Sequence, residues 1–212
     1  MIFEGRIVWL FREPRSGSTW LSNYLADKLN RQFKLVDNML VYNTKDVQFS
    51  QEINDEKMLL NTHCFNLLSS MKNYSNPVLI RCHRKNTFEQ ILSLAVTQRT
   101  HFYNIHDAKD RTTFEDNIRQ LESRELRLEK KQIENYINLR NDMTDYWNTY
   151  AKQYENYEFC YEDLSQGCEI FNFGKVSMQG YTEILPDNYK SRVFVNHDEI
   201  KEWCNQLDGT MD

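Results

Sequence analysis

Within five residues the chain gathers one guanidinium, three hydroxyls and a glycine, in Arg15-Ser16-Gly17-Ser18-Thr19. That set can hold an oxyanion. Arginine brings a permanent cation, the hydroxyls bring short neutral donors, and glycine lets the backbone amides approach closely. The apolar run Ile7-Val8-Trp9-Leu10-Phe11 stands before it and a helical pattern begins at Thr19, so the loop opens a helix. The free N–H groups and partial positive charge of a helix N-terminus suit the same anion. A second pair lies further on. Arg84, after an apolar strand, and Ser93, on the helix that follows, can both reach one phosphate of a nucleotide. Arg81 reads either as a further phosphate contact or as a surface cation.

The loop is not that of nucleoside triphosphatases, G-x-x-x-x-G-K-[ST]. Arg12 stands where its first glycine would be, and no lysine separates Gly17 from Ser18. A site without that lysine or an evident metal-binding aspartate is poorly equipped for magnesium and a γ-phosphate. The plain alternative is an ordinary strand–turn–helix with a Ser/Thr cap.

The elements that must position these groups alternate in the manner of an α/β protein. Ile7–Phe11 and Pro77–Cys82 read as buried parallel strands, since neither needs an alternating pattern. Phe33–Val36, Lys57–His63 and Tyr157–Tyr161 read as the other strands. Helices are expected over Thr19–Leu29, with Leu21, Leu25 and Leu29 on one face, over Thr87–Gln98, and over Gln132–Tyr154. The aromatic stripe of the last helix reads as core. Residues 108–131 are dense in charge and read as a solvated helix or a mobile cover. The expectation is one three-layer domain over residues 1–212, with a mostly parallel sheet of about five strands between helices. Open sheets of this kind bind ligands at the carboxyl ends of their strands, where Pro14–Trp20, Asn61–His63 and Arg81–Arg84 all fall.

Composition narrows the function. There are 26 Lys and Arg against 31 Asp and Glu, a formal net charge of −5, which argues against a general nucleic-acid binder. Any anion must be held by a local cluster rather than a broad field. No signal peptide and no membrane span is expected. Five scattered cysteines without a CxxC pair suggest neither zinc nor a disulfide framework, and reduced thiols in a cytoplasmic protein are the plain reading.

Pro14-Arg15-Ser16-Gly17-Ser18-Thr19-Trp20-Leu21 resembles the 5′-phosphosulfate loop of sulfotransferases that use 3′-phosphoadenosine 5′-phosphosulfate (PAPS). Arg84-Lys85-Asn86-Thr87-Phe88-Glu89-Gln90-Ile91-Leu92-Ser93 resembles their 3′-phosphate segment, and its wording is most like the bacterial trehalose- and nodulation-type branch. Tyr161-Glu162-Asp163-Leu164 is similar to a segment common in the family, read here as structural. The resemblance implies a fold like that of P-loop nucleoside triphosphate hydrolases. It also implies transfer of a sulfuryl group from PAPS to an acceptor hydroxyl, with adenosine 3′,5′-bisphosphate as product and no metal.

By the same resemblance, Arg15, Ser16, Gly17, Ser18 and Thr19 hold the 5′-phosphosulfate, and Arg84 with Ser93 holds the 3′-phosphate. Trp20 stacks on adenine or packs in the helix, and Lys190 and Arg192 form a basic loop over the donor or an exposed basic turn. Leu59-Leu60-Asn61-Thr62-His63 resembles the strand end that carries the general base, so His63 takes the acceptor proton and Arg15 assists at the transferring group. A neutral imidazole suits that task near pH 7. The pattern departs from the family at Asn61, where a lysine is usual. Glu13 and His101 are the substitute bases. The acceptor, a hydroxyl of a sugar, lipid, phenol or peptide tyrosine, is not encoded by any motif in Asn43–Lys57 or Thr100–Thr113. Two other readings stay open: a nucleotide or small-molecule kinase of related fold, and a catalytically silent nucleotide-binding relative.

Overall fold

The computed structural model describes residues 3–35, 58–101, 108–176 and 189–208. In chain order the elements are β1 (Val8–Arg12), α1 (Ser18–Leu29), β2 (Gln32–Leu35), β3 (Met58–Thr62), β4 (Val78–His83), α2 (Thr87–Thr100), α3 (Ala108–Glu122), α4 (Lys130–Tyr150), β5 (Glu155–Cys160), α5 (Tyr161–Gln166), β6 (Cys168–Glu169), β7 (Lys175–Val176), α6 (Tyr189–Val193) and α7 (His197–Asp208). They group into two compact units, Met1–Arg84 with Asn141–Ser177, and Lys85–Arg140 with Met178–Asp212.

The first unit is built on a five-stranded sheet of order β2-β3-β1-β4-β5, with every neighbouring pair parallel. β1 is buried along its whole length, as its unbroken apolar run requires of a strand covered on both faces. Leu10 is level with Asn61, and Asn61 meets Ser22 of α1, so α1 covers the Leu10 face. Trp9 and Phe11 point the other way. Trp9 packs edge-on to Tyr74, and Phe11 packs edge-on to both Phe65 and Trp147. The second face is therefore covered by the 3-10 segment Phe65–Asn73 and the end of α4. This is an α/β architecture with a parallel sheet between helices.

Topology fixes where a ligand would go. From β1 the chain passes to the β3 side of the sheet to make β2, whereas from β4 it goes to the opposite side to make β5. The crevice between two strands whose connections diverge is the switch point of an open sheet. It lies here between the carboxyl ends of β1 and β4, the strands followed by the Arg15 loop and by Arg84.

The second unit surrounds one apolar cluster that includes Ile91, Leu92, Phe114, Ile118, Ile133, Phe194 and Ile200. Asn86 caps α2, its side-chain oxygen accepting from the Glu89 N–H at 3.0 Å. Asn196 accepts from the Leu128 N–H at 3.2 Å and donates to the Leu128 carbonyl at 2.9 Å, which pins the start of α7. The charged stretch expected as a solvated helix or mobile cover contains α3, and α3 is not solvated all round. Phe114, Ile118 and Leu121 recur at helical spacing and are buried, a stripe that the surrounding charge obscures.

The other expected strands and helices lie within a few residues of their places, whereas α5, α6, α7, β6 and β7 have no counterpart in the sequence reading. α4 ends at Tyr150 and passes into a 3-10 turn, Ala151–Gln153, rather than running to Tyr154. Val36 and Lys57, the acceptor segment 43–57 and residues 102–107 of the other acceptor segment lie outside the described residues. Among the described residues no helix is long and apolar enough to cross a membrane.

Candidate functional site

The Arg15 loop is a tight, braced turn. Arg15 and Gly17 both have left-handed backbones, with φ of 58° and 75°. Turns of this kind can bring successive N–H groups to one concavity that suits an anion. Gly17 is the N-cap of α1 and supplies no side-chain cap, and the first turn of the helix contains no acidic residue. Nothing on the helix itself therefore neutralises the positive end of its dipole.

Three bonds tie this loop to itself and to β4. The Glu13 N–H donates to the Cys82 carbonyl at 3.0 Å, the Cys82 thiol donates to the Ser16 carbonyl at 3.1 Å, and the Ser16 hydroxyl donates to the Glu13 carbonyl at 2.7 Å. Burial pushes the Cys82 thiol up to about 12, so it stays a thiol and a donor. The Ser16 hydroxyl, expected to meet the anion, is buried and braces the loop instead. Gly17, Thr19 and Arg15 are half-buried, and Ser18 is buried in the first turn of α1.

His63 follows β3 directly and reaches across to β1, its Nδ1 lying 2.7 Å from the Arg12 carbonyl. A carbonyl can only accept, so Nδ1 carries the hydrogen and the neutral ring keeps its lone pair on Nε2. The contact sets the tautomer a general base would need and anchors the ring to the residue that enters the Arg15 loop. Asn61 plays no part at that edge. It is fully buried, with Oδ1 2.8 Å from the Ser22 hydroxyl and Nδ2 3.2 Å from the Leu59 carbonyl, and so it braces α1 on the sheet.

Among the described residues the buried charged side chains are Arg12, Glu13, Arg81 and Arg84, and all four stand at the carboxyl ends of β1 and β4. Arg81 is neither a surface cation nor placed as a phosphate ligand. At 5 % exposure, its Nε and Nη2 donate to Glu13 Oε1 at 3.0 and 2.5 Å. Its Nη2 also donates to the Thr144 hydroxyl at 2.7 Å, and its Nη1 to Glu158 Oε2 at 3.3 Å. Glu13, weighed as a substitute base, is 1 % exposed and held in this pair. Sequence reading missed the network, although one signal existed: a buried strand has no place for an arginine unless a partner waits for it.

Arg84 lies over the Tyr161 ring, 4.3 Å from its centroid, with Nε 3.6 Å from Glu162 Oε1. At that separation the Glu162 carboxylate attracts the guanidinium electrostatically. The Tyr161–Leu164 segment, read as structural, thus forms the first turn of α5 and sets Arg84. The Trp20 ring is 1 % exposed and stacked on Tyr24 at 5.2 Å, which is helix packing and not an open adenine platform.

The remaining sequence candidates belong to the second unit. Ser93 is buried on α2, and His101 ends that helix exposed, in a left-handed conformation. Lys190 is ion-paired with Glu89, and Arg192 with Glu122 at 2.5 Å, both within the same unit. The expected basic loop is the short helix α6, and its two cations are matched locally. Comparison with protein-family models, curated proteins and solved structures returns no match for the chain.

Proposed function

We propose that the protein is a sulfotransferase that moves a sulfuryl group from PAPS to a hydroxyl on a sugar, lipid, phenol or peptide tyrosine. In this reading the fold is of the P-loop type. The observation that carries it is His63 bonded through Nδ1 to the Arg12 carbonyl, two residues before Pro14 and the braced turn that opens α1. The acceptor hydroxyl gives its proton to His63 Nε2 and its oxygen bonds to sulfur. The bond from sulfur to the 5′-phosphate oxygen breaks, and adenosine 3′,5′-bisphosphate leaves. Arg15 and the amides at the start of α1 stabilise charge on the transferring group and on the departing phosphate.

The 3′-phosphate is assigned to Arg84. Arg84 suits it because its guanidinium stands at the carboxyl end of β4, oriented over the Tyr161 ring with Glu162 nearby. A sulfuryl group carries less charge than a phosphoryl group, so these donors suffice without magnesium.

Thermal unfolding with nucleotide tests the donor. Adenosine 3′,5′-bisphosphate should raise the melting temperature well above the effect of adenosine 5′-monophosphate, because a ligand of the native state stabilises it by mass action. Arg84→Ala should abolish the difference. Equal shifts from both nucleotides in the parent protein would refute a 3′-phosphate site. Sulfuryl transfer from PAPS should persist in excess EDTA; activity that vanishes there and returns with magnesium would support a kinase. Nucleotide binding without turnover on any acceptor class would leave a silent binder.

A further inference from the structure

Resting on that reading of the loop, we infer that the buried Arg81–Glu13 pair sets the charge of the phosphate loop, with Arg81 as its positioning residue. Glu13 is the residue between β1 and Pro14, so its carboxylate is carried at the root of an anion-binding turn. An uncancelled carboxylate at that point would oppose any phosphate or sulfate bound above it. Arg81 cancels it at short range, placing two nitrogens on the same Oε1 in an environment where Glu13 is 1 % exposed. Both residues are also tied to the rest of the sheet. The Glu13 N–H is bonded to Cys82, the residue after Arg81, and Arg81 extends to Thr144 of α4 and Glu158 of β5. One guanidinium, carried on β4, therefore fixes the entry of the loop against α4 and β5 as well.

A pair that only held the backbone would behave alike when broken from either side, whereas a pair that sets charge would not. Arg81→Met exposes the carboxylate to the bound anion, Glu13→Gln releases the cation, and the double variant returns the cluster, which includes Glu158, to the parent's net charge. Sulfate and adenosine 3′,5′-bisphosphate are the probes, with affinity taken from the shift in melting temperature against ligand concentration. Arg81→Met should weaken both probes by about tenfold, the size expected of one uncancelled charge acting through a partly buried path. Glu13→Gln should bind both at least as tightly as the parent, and Glu13→Gln/Arg81→Met should return close to it.

Weakening in both single variants that persists in the double would overturn the inference and leave a purely structural brace. Should Arg81→Met fail to fold, Glu13→Gln decides alone, because binding at least as tight as the parent's supports the inference and weaker binding overturns it. A parent stabilised by sulfate but not by the bisphosphate loses the PAPS reading only, and the variants are then judged on sulfate. A parent stabilised by neither loses both.

Discussion

In the first unit charge is buried at one edge of the sheet, on Arg12, Glu13, Arg81 and Arg84. The second unit, among its described residues, buries no charged side chain. Most of its ion pairs, among them Arg111–Glu115, Arg119–Asp116, Arg127–Glu199 and Lys131–Glu134, lie at the surface around an apolar cluster, and Lys190–Glu89 is part-buried. A buried charge gains little net stability even when paired, and hydrophobic replacements of equal volume do as well or better. Stability alone therefore explains the second unit and does not explain the first. Four such groups around the crevice between β1 and β4 are what makes it the candidate functional site.

The contrast predicts different failures, and the largest belongs to His63. His63→Ala should lower turnover with PAPS by ~10²–10⁴-fold while leaving bisphosphate affinity nearly unchanged, as loss of a proton acceptor requires. His101→Ala, an exposed change in the second unit, should leave both values in place. If His63→Ala lowers stability, donor affinity and turnover together, the imidazole is only a brace on the Arg12 carbonyl, and the first unit loses its base.

Core truncation should show the reverse pattern. Ile133 is fully buried in the second unit, and Ile133→Ala should cost about 2–5 kcal/mol in urea unfolding. Nucleotide affinity of the protein that remains folded should not change. Arg127→Ala, which breaks an exposed pair of 3.1 Å with Glu199, should stay within about 0.5 kcal/mol and be less visible at high salt. A loss from Arg127→Ala as large as that from Ile133→Ala would erase the contrast in how the units are stabilised.

Much of this was legible. The period-free runs at Ile7–Phe11 and Pro77–Cys82 are what a parallel central strand demands, and they became β1 and β4. The turn expected before the helix at Thr19 became the Gly17 cap of α1, whose left-handed backbone the structure adds. What escaped was pairing across long sequence separations. Nothing near Glu13 announces Arg81, and nothing near Arg84 announces Tyr161 and Glu162, because register and topology bring them together. The Ser16 hydroxyl shows the same limit. A sequence displays a donor, but only the folded loop shows that the Glu13 carbonyl already holds it. Trp20 was ambiguous for a related reason, since an aromatic at the start of a helix can stack on a ligand or on the residue four places later, here Tyr24.

The smallest predicted effect concerns the opposite edge of the sheet, where charge is exposed. Glu155 begins β5, is ion-paired with Arg6 and accepts from the Tyr157 hydroxyl at 2.6 Å. The hydrogen bond from Arg6, followed by that from Tyr157, holds its carboxyl below the ordinary value of 4.5. A carboxyl depressed in the folded state stabilises the protein above its ordinary value, and that contribution fades as pH falls through the depressed one. Tyr157 is pushed the other way, above 10, first by its bond to Glu155 and then by burial, so its contribution holds below 10 and is lost as pH rises through the raised value. With the Glu155 side chain 40 % exposed, solvent screens most of this. Glu155→Gln should remove no more than about 0.5 kcal/mol at pH 7. Urea unfolding of parent and variant should converge as pH falls from 4.5 through the depressed value, where the folded parent carboxyl also becomes neutral. Curves that run parallel through the acid limb would show that this edge contributes nothing through charge, leaving Arg81 and its neighbours as the sheet's only electrostatically active end.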